Sequence, residues 1–245
     1  MSRSFGEIDA VQSVLPEWLA LPIALATQVG AIWFATCVLV AYYVLVDREE
    51  AITFGGLLLA SIGAWRAVKE VLQVYRPREF LVPPDAYDGV VGTIYDAAVV
   101  HGGHGLPSGH AVTTTLIYLL LAEHLEVSSR RRRYACAFGV IAFVGWTRIA
   151  LGVHYVADVV AGIAIALGLL TLAWAAFASL PYERPTIAAA LAISVATINV
   201  VVDWPYYKEV IVLLAAIGLA GWWVLVVRPG RHPFTTTARL RRSQP

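Results

Sequence analysis

The stretch VADVVAGIAIALGLLTLAWAAFASL, residues 156–180, carries one charge, Asp158, near its start and none after it. Crossing about 30 Å of hydrocarbon takes roughly 20 apolar residues at helical rise, so this stretch is long enough to span a bilayer. Six further apolar segments flank it: Trp18–Val46, Ala51–Tyr75, Ser108–Val127, Tyr134–Leu151, Thr186–Val202 and Glu209–Val227. The composition agrees, with 59% hydrophobic residues, 14% charged residues and a mean hydropathy of +0.70. Such a chain is not an ordinary soluble domain. The expected fold is all-α: a polytopic transmembrane helical bundle of about seven spans. A net charge of +1 gives no case for nucleic-acid binding.

Residues 1–17 read as an N-terminal surface segment, 18–227 as one transmembrane domain with its core at 51–180, and 228–245 as a basic tail. No basic leader with a small-residue cleavage site precedes the first span, so no cleaved signal peptide is expected. The link 76–107 is long for a connection, which marks it as functional or mobile, and a short helix is expected near Thr93–Val100. Cys37 and Cys136 lie inside apolar runs and read as packing residues. Arg66, Lys69 and Glu70 fall in the last third of the second segment and must face the bundle interior or the interface. The sixth segment is the weakest, being short and carrying Thr197 and Asn199. Orientation follows from arginine: Arg130 to Arg133 form one loop, and Arg228, Arg231, Arg239, Arg241 and Arg242 lie in the tail. With seven spans these share a side with Arg48 and Arg184, and the positive-inside rule makes it cytoplasmic. The N-terminus, the long link and the Asp203–Lys208 turn then lie outside, where Trp204, Tyr206 and Tyr207 suit an interfacial belt.

Three clusters stand out at the external ends of the spans, where charge is expensive unless used. Lys69 and Arg76 are seven residues apart, two helical turns, so they share a face before Pro77 stops the helix. Together they can clamp an oxyanion, or snorkel to head groups. In Pro107-Ser108-Gly109-His110, Ser108 can cap a helix and Gly109 lets its backbone approach a ligand. The helix N-terminus there favours phosphate, and His110 sits where it can protonate a leaving oxygen. Arg148 precedes His154 by six residues, and Asp158 follows four later. A helix spacing of four lets Asp158 hold His154 Nδ1–H and leave Nε2 as a nucleophile. Gly152 is expected to break the helix so that Arg148 and His154 turn to one point. His101 and His104 read as solvated loop residues. Glu123 and His124 fall at the far end of the third span and read as local pairing groups. No zinc spacing or two-metal carboxylate cluster is present, so neither a metal nor a cofactor is expected.

The order and spacing of these clusters resemble the type 2 phosphatidic acid phosphatase superfamily. Its pattern is a lysine, six intervening residues and Arg-Pro, then Pro-Ser-Gly-His, then Ser-Arg, five residues, His, three residues and Asp. The match covers about Ala51 to Leu180 and departs from the pattern only at Thr147, where Ser is usual. The resemblance implies a metal-independent membrane phosphatase with a phosphohistidine intermediate. It makes His154 the nucleophile, Asp158 its orienting partner and His110 the acid for the leaving group. Lys69, Arg76 and Arg148 would bind the phosphate with Ser108 and Gly109. The implied partner is a lipid phosphate: an external site favours a polyprenyl diphosphate, with phosphatidate or phosphatidylglycerophosphate next, at the plasma membrane. A sugar-phosphate phosphatase or phosphotransferase of the same superfamily is the alternative. An anion transporter is the alternative from another class, and it leaves the His154–Asp158 pair unexplained.

Overall fold

The computed structural model describes residues 4–99, 103–202 and 207–229. His101, Asp203, Trp204, Tyr206 and the tail arginines from Arg231 onward lie outside the described residues. Every regular element among the described residues is helical: α1 (Glu7–Gln12), α2 (Ala20–Ala26), α3 (Ile32–Leu45), α4 (Arg48–Leu72), α5 (Gly89–Val99), α6 (Gly109–His124), α7 (Arg130–Ala150), α8 (Val156–Ser179), α9 (Arg184–Val202) and α10 (Tyr207–Trp222). The expected all-α bundle is present, and the short helix of the long link is α5.

The helix ends follow from local chemistry. Asp47 caps α4 by accepting from Glu50 N, and Glu49 and Glu50 occupy its first turn, where the helix dipole favours negative charge. Ser129 accepts from Arg132 N at the start of α7, and Ser108 accepts from Ala111 N at the start of α6. Four arginines in the first turn of α7 oppose its dipole, so an interfacial position rather than intrinsic propensity accounts for them.

By length and apolarity, four described helices can cross a membrane: α4, α8, α9 and α10, the last extended by the turn Trp223–Val227. A fifth crossing exists if Glu17–Gly30 and Ile32–Leu45 form one broken span. By that measure the described helices give four or five crossings, where the apolar segments of the sequence suggest about seven. The segment expected as one helix, Trp18–Val46, bends by 47° where Ala31 turns extended. The cause is packing. A Cβ on Gly30 would lie 2.5 Å from Thr114 Oγ1 and 2.7 Å from Val144 Cγ1, so α6 and α7 press on the chain at the break. Helix α6 has 16 residues, about 24 Å of rise, which is short of the hydrocarbon thickness. It is instead the centre of the bundle, contributing Val112, Leu116, Ile117 and Leu120 to the main core with Leu57, Ile141 and Leu170.

A second core lies at one end, where Ile23, Tyr95, Val99, Leu151 and Val153 join α2 and α5 to the end of α7. It holds the long link over the helix ends that carry the three clusters. The short α1 joins this end too: Gln12 donates to the carbonyls of Glu79 and Ala150, and Glu7 accepts from Val156 N. At the other end are Arg48, Arg130 to Arg133, Arg184 and Arg228. There Glu123 accepts from Arg130 and Tyr134, the local pairing that its position suggested.

Two polar residues inside the spans tie helices together. Arg66 pairs with the buried Glu209 of α10, and Asn199 donates to Gly63 O across α4 and α9 at 2.8 Å. Helix α9 thus has its full length, with Asn199 as an interhelical tie. The cysteines differ from expectation: Cys37 and Cys136 are exposed on the outer faces of α3 and α7. Those faces also carry exposed Val40, Val44, Phe138 and Phe143, an apolar exterior that suits lipid and not water.

Helix α9 lies against α4 at two glycines. A Cβ on Gly56 would meet the Ala188 backbone at 2.9 Å, and one on Gly63 would meet Val195 Cγ1 at 2.7 Å. Backbone cannot yield as a side-chain tip can, so Gly56→Val is expected to cost about 1–3 kcal/mol. Thermal unfolding in detergent should show a lowered midpoint, while Gly139→Val, which meets nothing within 4 Å, should fall far less. Equal midpoints for the two variants would contradict the close α4–α9 approach.

Candidate active site

The three clusters meet at one end of the bundle, each delivered by a helix end. Lys69 is in the last turn of α4, and Gln73 ends that helix in a left-handed conformation, φ 47°. Beyond it Arg76 turns back towards the bundle. Ser108 and His110 begin α6. Arg148 is in the last turn of α7, Asp158 is in the first turn of α8, and His154 lies in the link between those two helices.

Two glycines make that convergence possible. Gly152 has φ +67°, and a Cβ there would fall 1.8 Å from Glu79 O, so only glycine fits. This is the break expected between Arg148 and His154. Gly162, which the sequence reading did not single out, lets α8 touch the start of α6: a Cβ would lie 2.7 Å from Ser108 O. The Ser108 N–H donates to Asp158 O at 2.9 Å, so the two motifs are tied backbone to backbone.

His154, Asp158, Arg148 and Ser108 are at most 1% exposed, and Lys69 is 7% exposed. The Asp158 carboxylate accepts from His154 Nδ1 at 3.3 Å and from Tyr155 N at 3.1 Å. Arg76 Nη1 lies 3.4 Å from His154 Nε2. A guanidinium only donates, so Nε2 faces it with its lone pair while Nδ1 carries the proton. Burial, followed by the charges of Arg76, Arg148 and Lys69, holds the His154 imidazole well below its ordinary pKa of 6.5.

Backbone carbonyls of the long link engage the cations. Lys69 Nζ and Arg76 Nε both donate to His104 O, at 2.9 and 3.2 Å. Both terminal nitrogens of Arg148 donate to Ala98 O at the end of α5, at 3.1 Å each. Arg148 also donates to Thr27 Oγ1, which accepts from Thr147 as well. The hydroxyl of Thr147 is thus buried in a chain that leads to Arg148. Sequence reasoning missed Thr27, because it was placed mid-span and only the bend beside Gly30 brings it here. His104 belongs to the site through its main-chain oxygen, which no residue pattern encodes.

Among the described residues no group of three His, Cys, Asp or Glu side chains is placed to hold a metal. Glu123 and His124 line a separate cavity of about 590 Å³ at the opposite end, with Glu50, Arg130 and Arg184.

An apolar helical bundle whose exterior suits lipid is the class this fold defines: an integral membrane protein. Residues 50–182 match the PAP2 superfamily, and the chain belongs to it. Phosphatidylglycerophosphatase B of Bacillus subtilis (strain 168) is 31% identical over 128 residues, 49% of this chain and 57% of that protein. The chain thus covers little over half the length of that curated relative. The crystal structure of the first transmembrane PAP2 type phosphatidylglycerolphosphate phosphatase, from Bacillus subtilis, superposes with a TM-score of 0.56 at 22% identity. That likeness, over 68% of this chain and 80% of the other, is one of fold.

The depressed His154 pKa has a sign that can be tested. Lowering it keeps the imidazole neutral, and hence nucleophilic, down to well below pH 6.5. For turnover that depends on His154, the acidic limb of kcat/KM is expected below pH 6.5. A limb at or above that value would contradict the buried, cation-flanked setting.

Proposed function

We propose that this protein is a membrane phosphatase that hydrolyses a lipid phosphate or diphosphate through a phosphohistidine intermediate. The observation that carries the reading is the His154 imidazole, held by Asp158 at Nδ1 and facing cations at Nε2. In the first step Nε2 attacks phosphorus, forming the N–P bond as the P–O bond to the lipid breaks. His110 supplies the proton to the departing oxygen. In the second step water attacks the phosphohistidine, His110 takes its proton, and inorganic phosphate leaves with Nε2 restored.

Lys69, Arg76 and Arg148 neutralise the phosphoryl oxygens in this scheme, with Ser108 and the Gly109 backbone at the α6 N-terminus. The carbonyls of His104 and Ala98 act as stand-ins: a substrate oxygen, being charged, is the stronger acceptor and replaces them. Cations on all sides of the phosphoryl group supply the charge stabilisation that a metal gives elsewhere, which is why metal-independent turnover is proposed.

Two head groups have support. Similarity to a phosphatidylglycerophosphatase favours a phosphatidylglycerophosphate-type monoester. The arginines gathered at the end away from the site favour an external site by the positive-inside rule, and with it a polyprenyl diphosphate on the outer leaflet of the plasma membrane. Phosphate release from both lipids, measured in detergent with excess chelator, separates them. His154→Ala is expected to lower turnover on the order of a thousandfold or more, and Asp158→Asn by less, since the ring keeps its place while its tautomer is no longer fixed. More than about a tenth of wild-type rate in His154→Ala would remove it from the nucleophile role. Loss of activity in chelator, restored by magnesium or zinc, would overturn metal independence.

Sidedness has its own measurement. In a background lacking Cys37 and Cys136, a cysteine replacing Gly103 is expected to react with an impermeant thiol reagent in intact cells. One replacing Ser129 is expected to stay unlabelled. The reverse pattern would place the site inside and leave the catalytic assignment standing.

A further inference from the structure

Trp65 lies in α4 one turn before Lys69, and its indole touches two parts of the candidate site. Lys69 Nζ sits 4.9 Å from the ring centroid, so the ring face supports the ammonium. The point where a Gly109 Cβ would stand is 3.3 Å from indole Cε2 and from Cζ2. With Cδ2 at 3.6 Å as well, it is the ring face that packs on the backbone that opens α6. Nε1 is bonded to Cε2, so the N–H lies beside that contact.

The Trp65 Nε1–H is buried and has no hydrogen-bond partner among the described residues. An indole N–H can only donate, and a buried donor left unmade costs free energy. The neighbouring donors, Lys69 and Arg76, are satisfied by His104 O, which leaves no carbonyl on the indole. A donor that the fold leaves unmet, between an ammonium and a glycine at a helix N-terminus, is placed for an oxyanion.

We propose that Trp65 is a further phosphate-binding and positioning residue: its Nε1–H donates to a phosphoryl oxygen held by Lys69 and the α6 N-terminus, and its ring aims the Lys69 ammonium at the same group. This rests on the phosphatase reading. It also bears on glycine at position 109: a Cβ there would press on the ring face and shift the indole from the backbone it shares the ligand with.

The test uses the full chain in detergent with orthovanadate as the probe, since it adopts the geometry of the transferring phosphoryl group. In indole nitrogen–proton spectra the Trp65 resonance, assigned by its loss in Trp65→Phe, is expected to move when vanadate is added. Trp65→Phe keeps the aromatic face and loses the N–H. It should raise the vanadate inhibition constant and lower kcat/KM by about ten- to a hundredfold, the usual worth of a hydrogen bond to a charged group. Its thermal midpoint should stay near that of the wild type, which a purely structural role would not allow. A Trp65 resonance that stays still while vanadate inhibits, or Trp65→Phe kinetics within twofold of wild type, would overturn the proposal. Should Trp65→Phe not fold, Trp65→Tyr serves for the assignment and the wild-type titration decides. Wild-type protein that neither hydrolyses phosphate esters nor binds vanadate would bring down the phosphatase reading and this proposal with it. Vanadate binding with a stationary indole brings down this proposal alone.

Discussion

Two buried cations, Lys69 and Arg148, and the half-buried Arg76 gathered about one buried carboxylate set the terms for this end of the molecule. Lys69 and Arg76 lie within the field of Asp158, with Arg148 beside them, and that carboxylate accepts from His154 and from the Tyr155 N–H. Unpaired charge in a low-dielectric setting costs several kcal/mol per ion, so the arrangement persists only if dipoles or an anion offset it. The fold supplies dipoles: His104 O for Lys69 and Arg76, and Ala98 O for Arg148. Carbonyls are weaker partners than carboxylates. The excess positive potential is therefore kept in reserve, and a phosphoryl group is the ligand proposed to meet it.

Much of the remaining structure reads as support for this cluster. The second core, with Tyr95 and Val99 against Leu151 and Val153, fixes the link so that its carbonyls reach the cations. The α1 segment pins the far side of the Gly152 turn through Gln12. Gly152 and Gly162 remove the side chains that would hold His154 and Ser108 apart. Elsewhere in the spans Arg66 is paired with Glu209 and Asn199 with Gly63 O, so these groups do not compete for the proposed ligand. The division is physical: matched charge holds helices together, and unmatched charge is concentrated where chemistry is proposed.

Membership of the PAP2 superfamily and the helical membrane fold agree with the motif pattern read from residues alone. The pattern was legible because each element is local. Helix periodicity puts Lys69 and Arg76 on one side, a spacing of four puts Asp158 beside His154, and Ser108 is a cap by its residue type. The apolar lengths of residues 48–72, 156–179 and 184–202 likewise fix helices without tertiary information.

Contacts between distant segments were a different matter. The bend beside Gly30 depends on Thr114 and Val144, more than eighty residues away, and it carries Thr27 to Arg148. The depth of α6, too short to cross yet central to the core, follows from what surrounds it and not from its own apolar run. Cys37 and Cys136 sit in runs apolar on every side, where periodicity has no face to assign, and they turned out to be on the exterior. Main-chain acceptors such as His104 O and Ala98 O have no residue signature at all. The sequence by itself determined the helices, the motif spacings and the side chains that carry charge, because these depend on neighbours within a turn or two. Tertiary structure alone decided which backbone atoms answer those charges and which helix faces are inside, because that requires segments far apart in the chain to meet.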